Sequence, residues 1–316
     1  MSWKKVSNKN NPSGVRFETV DRHHDGQRVD NFLSAQLKGL PRSLLYRLIR
    51  TGQVRINGKR CKPASRLCAG DQVRIPPAHV REGAEAVISD RVLAQVRNSV
   101  LHRDGEILVI NKPSGMAVHA GSGLPWGVID VLRRIYPDEF IELAHRLDRE
   151  TSGCLVLARS GQALEHLSSL FREGGIDKRY LCLMDGRMPE DRLDVDAPLA
   201  RVQAEKNRKV VVDAAGKPAL TRFHRLEVYR NATYAEAELF TGRTHQIRVH
   251  ARHIGQPLAG DSKYADKEAS RHWRTLGLKR LFLHAHRVSL VLPGGQRLEI
   301  TAPLPEDLRA VLDTLQ

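Results

Sequence analysis

Three things are scarce in this chain, and each scarcity argues against something. Cysteine is the first, with four residues in 316. Cys61, Cys68, Cys154 and Cys182 form no C-x-x-C pair, and the last two sit inside apolar runs. Buried free thiols in a reducing compartment are the expected state. His250 with His253, and His284 with His286, stand at near-ligand spacings, but no cysteine or carboxylate cluster backs them, so no metal site is expected. The second scarcity is long apolar runs. No stretch is suited to span or anchor in a bilayer, and residues 1–16, with Lys4, Lys5 and Lys9, contain no apolar core of a secretory leader. No membrane partner is expected, and the cytoplasm is the expected location. The third is acid. Asp and Glu number 36 against 51 Lys and Arg, a formal net charge of +15. So basic a chain points to a polyanionic partner, nucleic acid first.

What is present falls into two parts. The 316 residues suffice for two domains of roughly 100–200 residues each, and a 41% apolar share supplies real cores. Residues 1–18 read as a basic, disordered arm and 19–82 as a small domain. Residues 83–98 read as a linker in which Ser89 caps a short helix through Val96, and 99–316 as the larger domain. In the small domain Val29, Phe32, Leu33 and Leu37 recur at helical spacing. A second helix begins near Pro41, buries Leu44, Leu45, Leu48 and Ile49, and stops at Gly52. Val54 and Ile56 alternate as in a strand, Asn57-Gly58 is a strong hairpin signal, and Val73 and Ile75 make a last strand.

Charge in the small domain is lopsided. Between Arg28 and Pro77 there are eleven Lys and Arg against two Asp and Glu, a net of +9. Arg42, Arg47, Arg50 and Arg55 can line one face of the second helix and its exit. A merely solvated basic face is the plain alternative, but the density in so small a unit favours phosphate contacts. Such contacts position a protein without reading sequence. The residues Arg28-Val-Asp-Asn-Phe-Leu33, Pro41-Arg-Ser-Leu44, Ile49, Gly52-Gln-Val-Arg-Ile-Asn-Gly58 and Gly70-Asp-Gln-Val73 resemble an S4 RNA-binding domain. That resemblance, rather than charge, implies structured RNA instead of DNA.

The larger domain is organised around His145-Arg-Leu-Asp-Arg-Glu-Thr-Ser-Gly153. Asp148 sits between two arginines, just ahead of the apolar run Cys154–Ala158, which reads as a buried strand. Neighbouring arginines favour an ionised aspartate, and a loop on a rigid strand is a common seat for catalytic groups. A surface salt-bridge cluster is the competing reading.

Other stretches flank this one. Glu106–Ile110 reads as a buried strand, followed by the sharp turn Asn111-Lys-Pro-Ser-Gly115 and by His119. Gly121 and Gly123 are too little for a phosphate loop. Val128, Val131, Leu132 and Ile135 give a short helix, and Leu164, Leu167, Leu170 and Phe171 another. Lys178-Arg-Tyr180 opens a strand through Met184; a tyrosine there is ordinarily core filler with a wet hydroxyl. Residues 201–213, with Arg201, Lys206, Arg208 and Lys209, read as a hairpin or loop that touches RNA. Ala219–Tyr229 and Tyr234–Phe240 read as paired antiparallel strands. In Thr241-Gly-Arg-Thr-His-Gln-Ile-Arg-Val-His250, Thr244 is a plausible N-cap with Ile247, Val249 and Ile254 turned inward, and Arg243 stands at the helix mouth as an anion clamp or ion-pair partner. Leu281–His286 leads into a strand through Leu292.

Taken in order, Asn111–Gly115 with His119, His145–Gly153, Lys178-x-Tyr180 and Thr241–His250 resemble the RluA-type pseudouridine synthases. With the S4-like module ahead of them, they are most similar to the RluC/RluD-like branch, which acts on large-subunit (23S) ribosomal RNA. The resemblance covers about residues 19–316. It implies an α+β fold: a small S4 (αL-type) domain, then a catalytic domain with a mixed, mainly antiparallel central sheet flanked by helices and loops. It implies an isomerase without a cofactor, a ribosomal RNA partner and a monomer.

The same resemblance implies roles residue by residue. Asp148 would be the essential carboxylate, and Tyr180 would stack on the extruded uracil and assist proton removal. Arg243 would pair with Asp148 and hold it ionised. Arg146 would contact RNA near the vacated base, and Leu283 would wall the pocket, while Arg42, Arg47 and Arg50 would bind RNA. The chemistry suits these residues, because uridine isomerisation needs an ionised nucleophile or base and a base swung out of its stack. Rival readings are a tRNA pseudouridine synthase, a non-catalytic RNA-binding or ribosome assembly factor, and a glycoside hydrolase using Asp148 with Glu150.

Overall fold

The computed structural model describes residues 14–37, 40, 42–77, 87–121, 124–204, 207–292 and 294–316. The expected arm up to residue 13, Pro41, the linker up to residue 86, Gly123 and Lys206 lie outside the described residues, as do the side chains of Arg42 and Arg208. The chain divides into two compact units, the first comprising the residues up to Val87 together with Ser160–Glu165 at the start of the fifth helix, the second Ile88–Arg159 and His166–Gln316.

The first unit runs β1 (Arg16–Thr19), α1 (Val29–Gln36), α2 (Arg42–Arg50), β2 (Arg55–Ile56), β3 (Lys59–Arg60) and β4 (Gln72–Ile75). Its antiparallel sheet has the order β1-β4-β2-β3. One face of the helices and one face of the sheet close on Val29, Leu33, Leu45, Ile49, Val54, Val73 and Ile75. Gly52 at φ +75° ends α2, and Asn57 and Gly58, at φ 48° and 74°, make the tight turn of the β2–β3 hairpin. Arg47 and Arg50 are exposed on α2, as a solvent-facing basic face requires. One expectation needs correcting. Arg16–Glu18, expected within the arm, belong to the strand Arg16–Thr19 paired with β4.

The second unit begins with α3 (Asp90–Arg97), β5 (Val100–Arg103), β6 (Ile107–Lys112), α4 (Val128–Ile135), β7 (Glu142–Leu143), β8 (Ser152–Ala158) and α5 (Gly161–Glu173). It continues through β9 (Ile176–Asp185), β10 (Arg192–Asp196), β11 (Leu199–Ala204), β12 (Asn207–Val212), β13 (Leu220–Val228) and β14 (Ala232–Leu239). It closes with α6 (Gln246–His253), α7 (Lys267–Thr275), β15 (Leu283–Val291), β16 (Arg297–Thr301) and α8 (Glu306–Asp313). The main sheet has the order β10-β13-β14-β9-β15-β8-β6-β5, with β16 beside β15 and β7 beside β8. Among the described pairings within it, β8–β15 is parallel and the rest are antiparallel. The mixed, mainly antiparallel sheet of an α+β chain is thus the observed architecture.

The buried strand expected at Cys154–Ala158 is central β8, every residue of which is buried. An unbroken apolar run is what a strand covered on both faces requires. A second correction concerns the linker. Val96 of α3 is fully buried in the same core as Leu108, Leu155 and Ile141, so residues 88–98 belong to the second unit. The β7–β8 loop, the middle of β9, the loop into α6 with its first turn, and the start of β15 supply the groups described next.

Candidate active site

The loop carrying Asp148 is held by the turn that follows β6. Lys112, with no exposed surface, donates from Nζ to the carbonyls of Pro113 (2.8 Å), Met116 (2.8 Å) and Arg149 (3.2 Å). The Gly115 amide donates to the Arg149 carbonyl at 2.9 Å, and Ser114 Oγ to the Glu150 carbonyl at 2.6 Å. Arg149 Nε returns a bond to the Gly115 carbonyl at 2.9 Å. The Asn111-Lys-Pro-Ser-Gly115 string is therefore a rack that fixes the backbone beside Asp148. Behind it, Gly153 has φ +109°, and a Cβ there would run into the Ala285 carbonyl of the adjacent β15. Only glycine permits that approach. His145, which can carry charge in principle, is used differently. Its Nε2 accepts the Val156 amide at 3.0 Å, its ring stacks on Phe171, and burial with nearby Lys178 pushes its pKa down to about 3.

Asp148 keeps 28% of its side chain exposed and meets two cationic or polar groups from the next segment. Arg248 Nη1 stands 3.6 Å and His245 Nε2 3.7 Å from its Oδ2. These are charge contacts just beyond hydrogen-bond length. The expected pairing with Arg243 is not what forms. Arg243 donates from Nε to the Pro218 carbonyl at 3.0 Å, and its guanidinium is exposed. The reason is helical geometry: Arg243 precedes α6 in the loop, whereas Arg248, in the first turn, turns inward between Ile247 and Val249. Arg248 is fixed by a bidentate pair to Asp261, with both bonds at 2.7 Å, and Asp261 is fully buried.

His245, rather than Thr244, is the residue before α6, and its backbone is left-handed at φ 55°. Thr244 instead accepts a hydrogen bond from Arg201 of β11 at 2.7 Å. His245 Nδ1 is 2.7 Å from the Tyr264 hydroxyl, which in turn accepts the Val210 amide at 3.2 Å. With the hydroxyl donating to Nδ1, the ring proton sits on Nε2 and faces Asp148. Burial pushes the His245 pKa down to about 4 against the pull of Asp148, so the imidazole is neutral at pH 7.

Arg146, Asp148, Tyr180, Arg243 and Leu283 line one open cleft of about 70 Å³, together with His245 and Arg248. All five residues expected in the catalytic domain are thus brought to one place. Tyr180 is 8% exposed on β9. Burial first, then Asp148 and Cys154, push its phenol well above the usual range, so it stays protonated. Leu283 is buried at the start of β15 and Arg146 is exposed at the rim. Glu150 does not line the cleft and lies 3.7 Å from Arg149, so the paired-carboxylate reading loses its geometry. One member of each histidine pair at near-ligand spacing is otherwise engaged. His250 bonds Thr221 and the Ala197 carbonyl, and His284 bonds Ser152 and the Ala302 carbonyl. A larger hollow of about 480 Å³ beside Arg187 and Arg225 lacks a convergent polar set, since Arg225 is spent on Asp191 and the carbonyls of Met188 and Pro189.

Arg248 and His245 are the functional candidates that sequence reasoning passed over. The signal for Arg248 was an arginine between two inward-facing apolar residues; for His245 nothing local gave it away. A carboxylate beside a fixed guanidinium, a neutral imidazole and a buried aromatic ring is a set suited to nucleophilic attack or proton transfer on a group turned into the cleft.

Residues 106–253 match the model of the RNA pseudouridylate synthase family and residues 27–73 that of the S4 domain. The chain is 45% identical to ribosomal large subunit pseudouridine synthase C of Pasteurella multocida over 96% of its length and 94% of that protein. It is 45% identical to the protein of the same name from Escherichia coli, over 96% and 97% of the two chains. Among solved structures, human RNA pseudouridylate synthase domain containing 4 superposes with a TM-score of 0.60 at 26% identity, covering 71% of this chain and 95% of that one. With an S4 domain ahead of a cleft built from the two long motifs, and with relatives this similar over nearly the whole length, the chain belongs to the RNA pseudouridylate synthase family.

Proposed function

We propose that this chain converts uridines of large-subunit ribosomal RNA to pseudouridine, with Asp148 as the essential carboxylate and no cofactor. The observation that carries the reading is the position of Asp148, open to the cleft at 28% exposure and faced by Arg248. Its relatives over 96% of the chain bear the name of ribosomal large subunit enzymes, which supports the substrate class. The reaction breaks N1–C1′, turns the uracil, forms C5–C1′ and moves a proton from C5 to N1. Atoms and electrons balance within the nucleoside, so neither a redox partner nor a group carrier is required.

In this reading Arg248 sets a fixed positive charge beside Asp148, and Tyr180 holds the free uracil on its ring, where base–aromatic stacking is worth roughly 1–3 kcal/mol. Because the phenol stays protonated, Tyr180 acts as a face and a donor rather than as a strong base. Arg146 and Arg243, both exposed at the cleft, bind the flanking RNA, and Leu283 walls the base site. The enzyme works as a cytoplasmic monomer. Among the described residues no helix is long and apolar enough to cross a membrane.

The test is incubation with unmodified ribosomal RNA and chemical mapping of pseudouridine. Wild type should give product and Asp148→Asn none, with RNA affinity kept. Product in transfer RNA alone would refute the substrate class. Full activity in Asp148→Asn would refute the mechanism.

A further inference from the structure

The sheet of the first unit breaks a rule of cross-strand pairing. Its register sets Phe17 opposite Arg74, Arg74 opposite Arg55, and Arg55 opposite Arg60. Residues directly opposite share a face. One row across β1, β4, β2 and β3 therefore reads Phe-Arg-Arg-Arg, while Val73 and Ile75 turn to the core on the other face. With strands about 4.8 Å apart, the three arginines start within about 10 Å of one another. Like charges opposed in this way destabilise a sheet.

Among the described residues no carboxylate relieves them, and none of the three has an ion-pair partner. Arg55 donates to the carbonyls of Gly52 (3.2 Å) and Gly58 (3.3 Å), and Arg74 to that of Gln53 (2.5 Å). Arg60 lies against the same turn, where a Cβ on Gly52 would come within 2.7 Å of its Nε. Three guanidiniums thus gather around the Thr51–Gln53 turn. Carbonyls orient them without neutralising them. Asp71, on the neighbouring turn, is taken by Asn57 and the Cys68 amide. At the end of the row Phe17 is 60% exposed. Departures from local pairing rules with no gain inside the fold mark functional surfaces.

We propose that the outer face of this sheet is a phosphate platform for an RNA strand. Arg74, Arg55 and Arg60 take backbone phosphate oxygens, and Phe17 stacks on a base beside them. A line of charges at strand spacing suits a repeating polyanion, and an exposed aromatic at its end suits a base face. The surface is distinct from the α2 face carrying Arg47 and Arg50. It takes RNA as the partner from the reading above, but phosphate contact is blind to sequence, so its test needs no target uridine.

The probe is a short oligouridylate bound to the full-length protein, with affinity measured by fluorescence anisotropy over a range of salt. Arg55→Gln/Arg60→Gln/Arg74→Gln should bind at least about tenfold more weakly at physiological salt. Its slope of log K against log salt should be shallower by about 2, because each phosphate contact on a single strand contributes about 0.7. Its thermal midpoint should hold or rise as the opposed charges are removed. Phe17→Ala should weaken binding several-fold at an unchanged slope. Lys267→Gln/Arg271→Gln/Arg274→Gln on α7 removes the same charge and should leave the slope intact. An unchanged slope in the sheet variant, or an equal change in the α7 variant, overturns the platform. A protein that forms no pseudouridine yet shows the slope change keeps the platform and loses the proposed reaction.

Discussion

Arg248 touches Asp148 with one nitrogen, Nη1 at 3.6 Å from Oδ2, because its other two are occupied by Asp261 at 2.7 Å each. The buried pair serves the exposed one. Asp261 removes the guanidinium's freedom to rotate, so Arg248 presents a fixed positive charge to the cleft. A planar fork that binds one carboxylate bidentately and faces a second is a task a lysine ammonium does not reproduce.

Arg248→Lys is the informative change. It keeps the charge but loses the fork, so the protein should fold and turnover should fall by roughly tenfold or more while RNA affinity is kept. Arg248→Ala should do more, costing about 3–5 kcal/mol of stability by leaving buried Asp261 without its partner. Single-turnover rates and thermal melts on both variants separate the two effects. Wild-type turnover in Arg248→Lys would show that charge alone suffices.

Lys112 tests the rack. Its three carbonyl acceptors match the three protons of an ammonium, although burial pushes its pKa down to about 7 with Glu150 and Asp148 pulling back. Lys112→Met fills similar space and leaves those carbonyls without donors, each worth about 1–3 kcal/mol when buried and unsatisfied. The variant should melt earlier and turn over more slowly, with KM for RNA changed less than kcat. An equal fall in affinity would place Lys112 in RNA binding.

Acid should unfold the second unit early. Burial lowers the pKa of His145 to about 3, and of His245 and His284 to about 4, from an ordinary 6.5. The unfolded chain then binds more protons than the folded one below pH 6.5. Stability is complete above that pH and drains away as pH falls from 6.5 to about 4, and on to about 3 for His145, at up to about 1.4 kcal/mol per unit per group. His284→Asn removes one of these groups. Relative to its own stability at pH 7, that variant should lose less between pH 6.5 and 4 than wild type does, measured by urea titration at each pH.

The motif strings were legible because each concentrates several constraints in a few residues. Asp148, Tyr180, Arg146, Arg243 and Leu283 meet in one cleft as their motifs imply. What escaped are facts of tertiary partnership. Arg248 finds Asp261 thirteen residues away, a partner that its place between inward-facing Ile247 and Val249 does not name. β1 escaped because its pattern is inverted, with Phe17 exposed and Arg16 and Glu18 half-buried. Thr244 was a sound N-cap by residue type, but Arg201 occupies its hydroxyl and the chain enters α6 through a left-handed histidine.

That histidine carries the last prediction. A non-glycine residue held at φ 55° beside the Asp148 carboxylate stores backbone strain that surrounding contacts must sustain. Those contacts run from the Val210 amide through the Tyr264 hydroxyl to His245 Nδ1, leaving Nε2–H toward Asp148. Tyr264→Phe cuts the chain at its middle, so it should lower turnover with KM for RNA within about twofold and cost about 1–3 kcal/mol through the stranded amide. His245→Gln returns an N–H donor near the position of Nε2, whereas His245→Leu keeps bulk without one. Turnover should therefore rank wild type above Gln above Leu, with Leu down roughly tenfold or more if the donor aligns Asp148 in the reacting complex. Equal rates for Gln and Leu would mean that the imidazole shapes the entrance to α6 and takes no part in orienting the carboxylate.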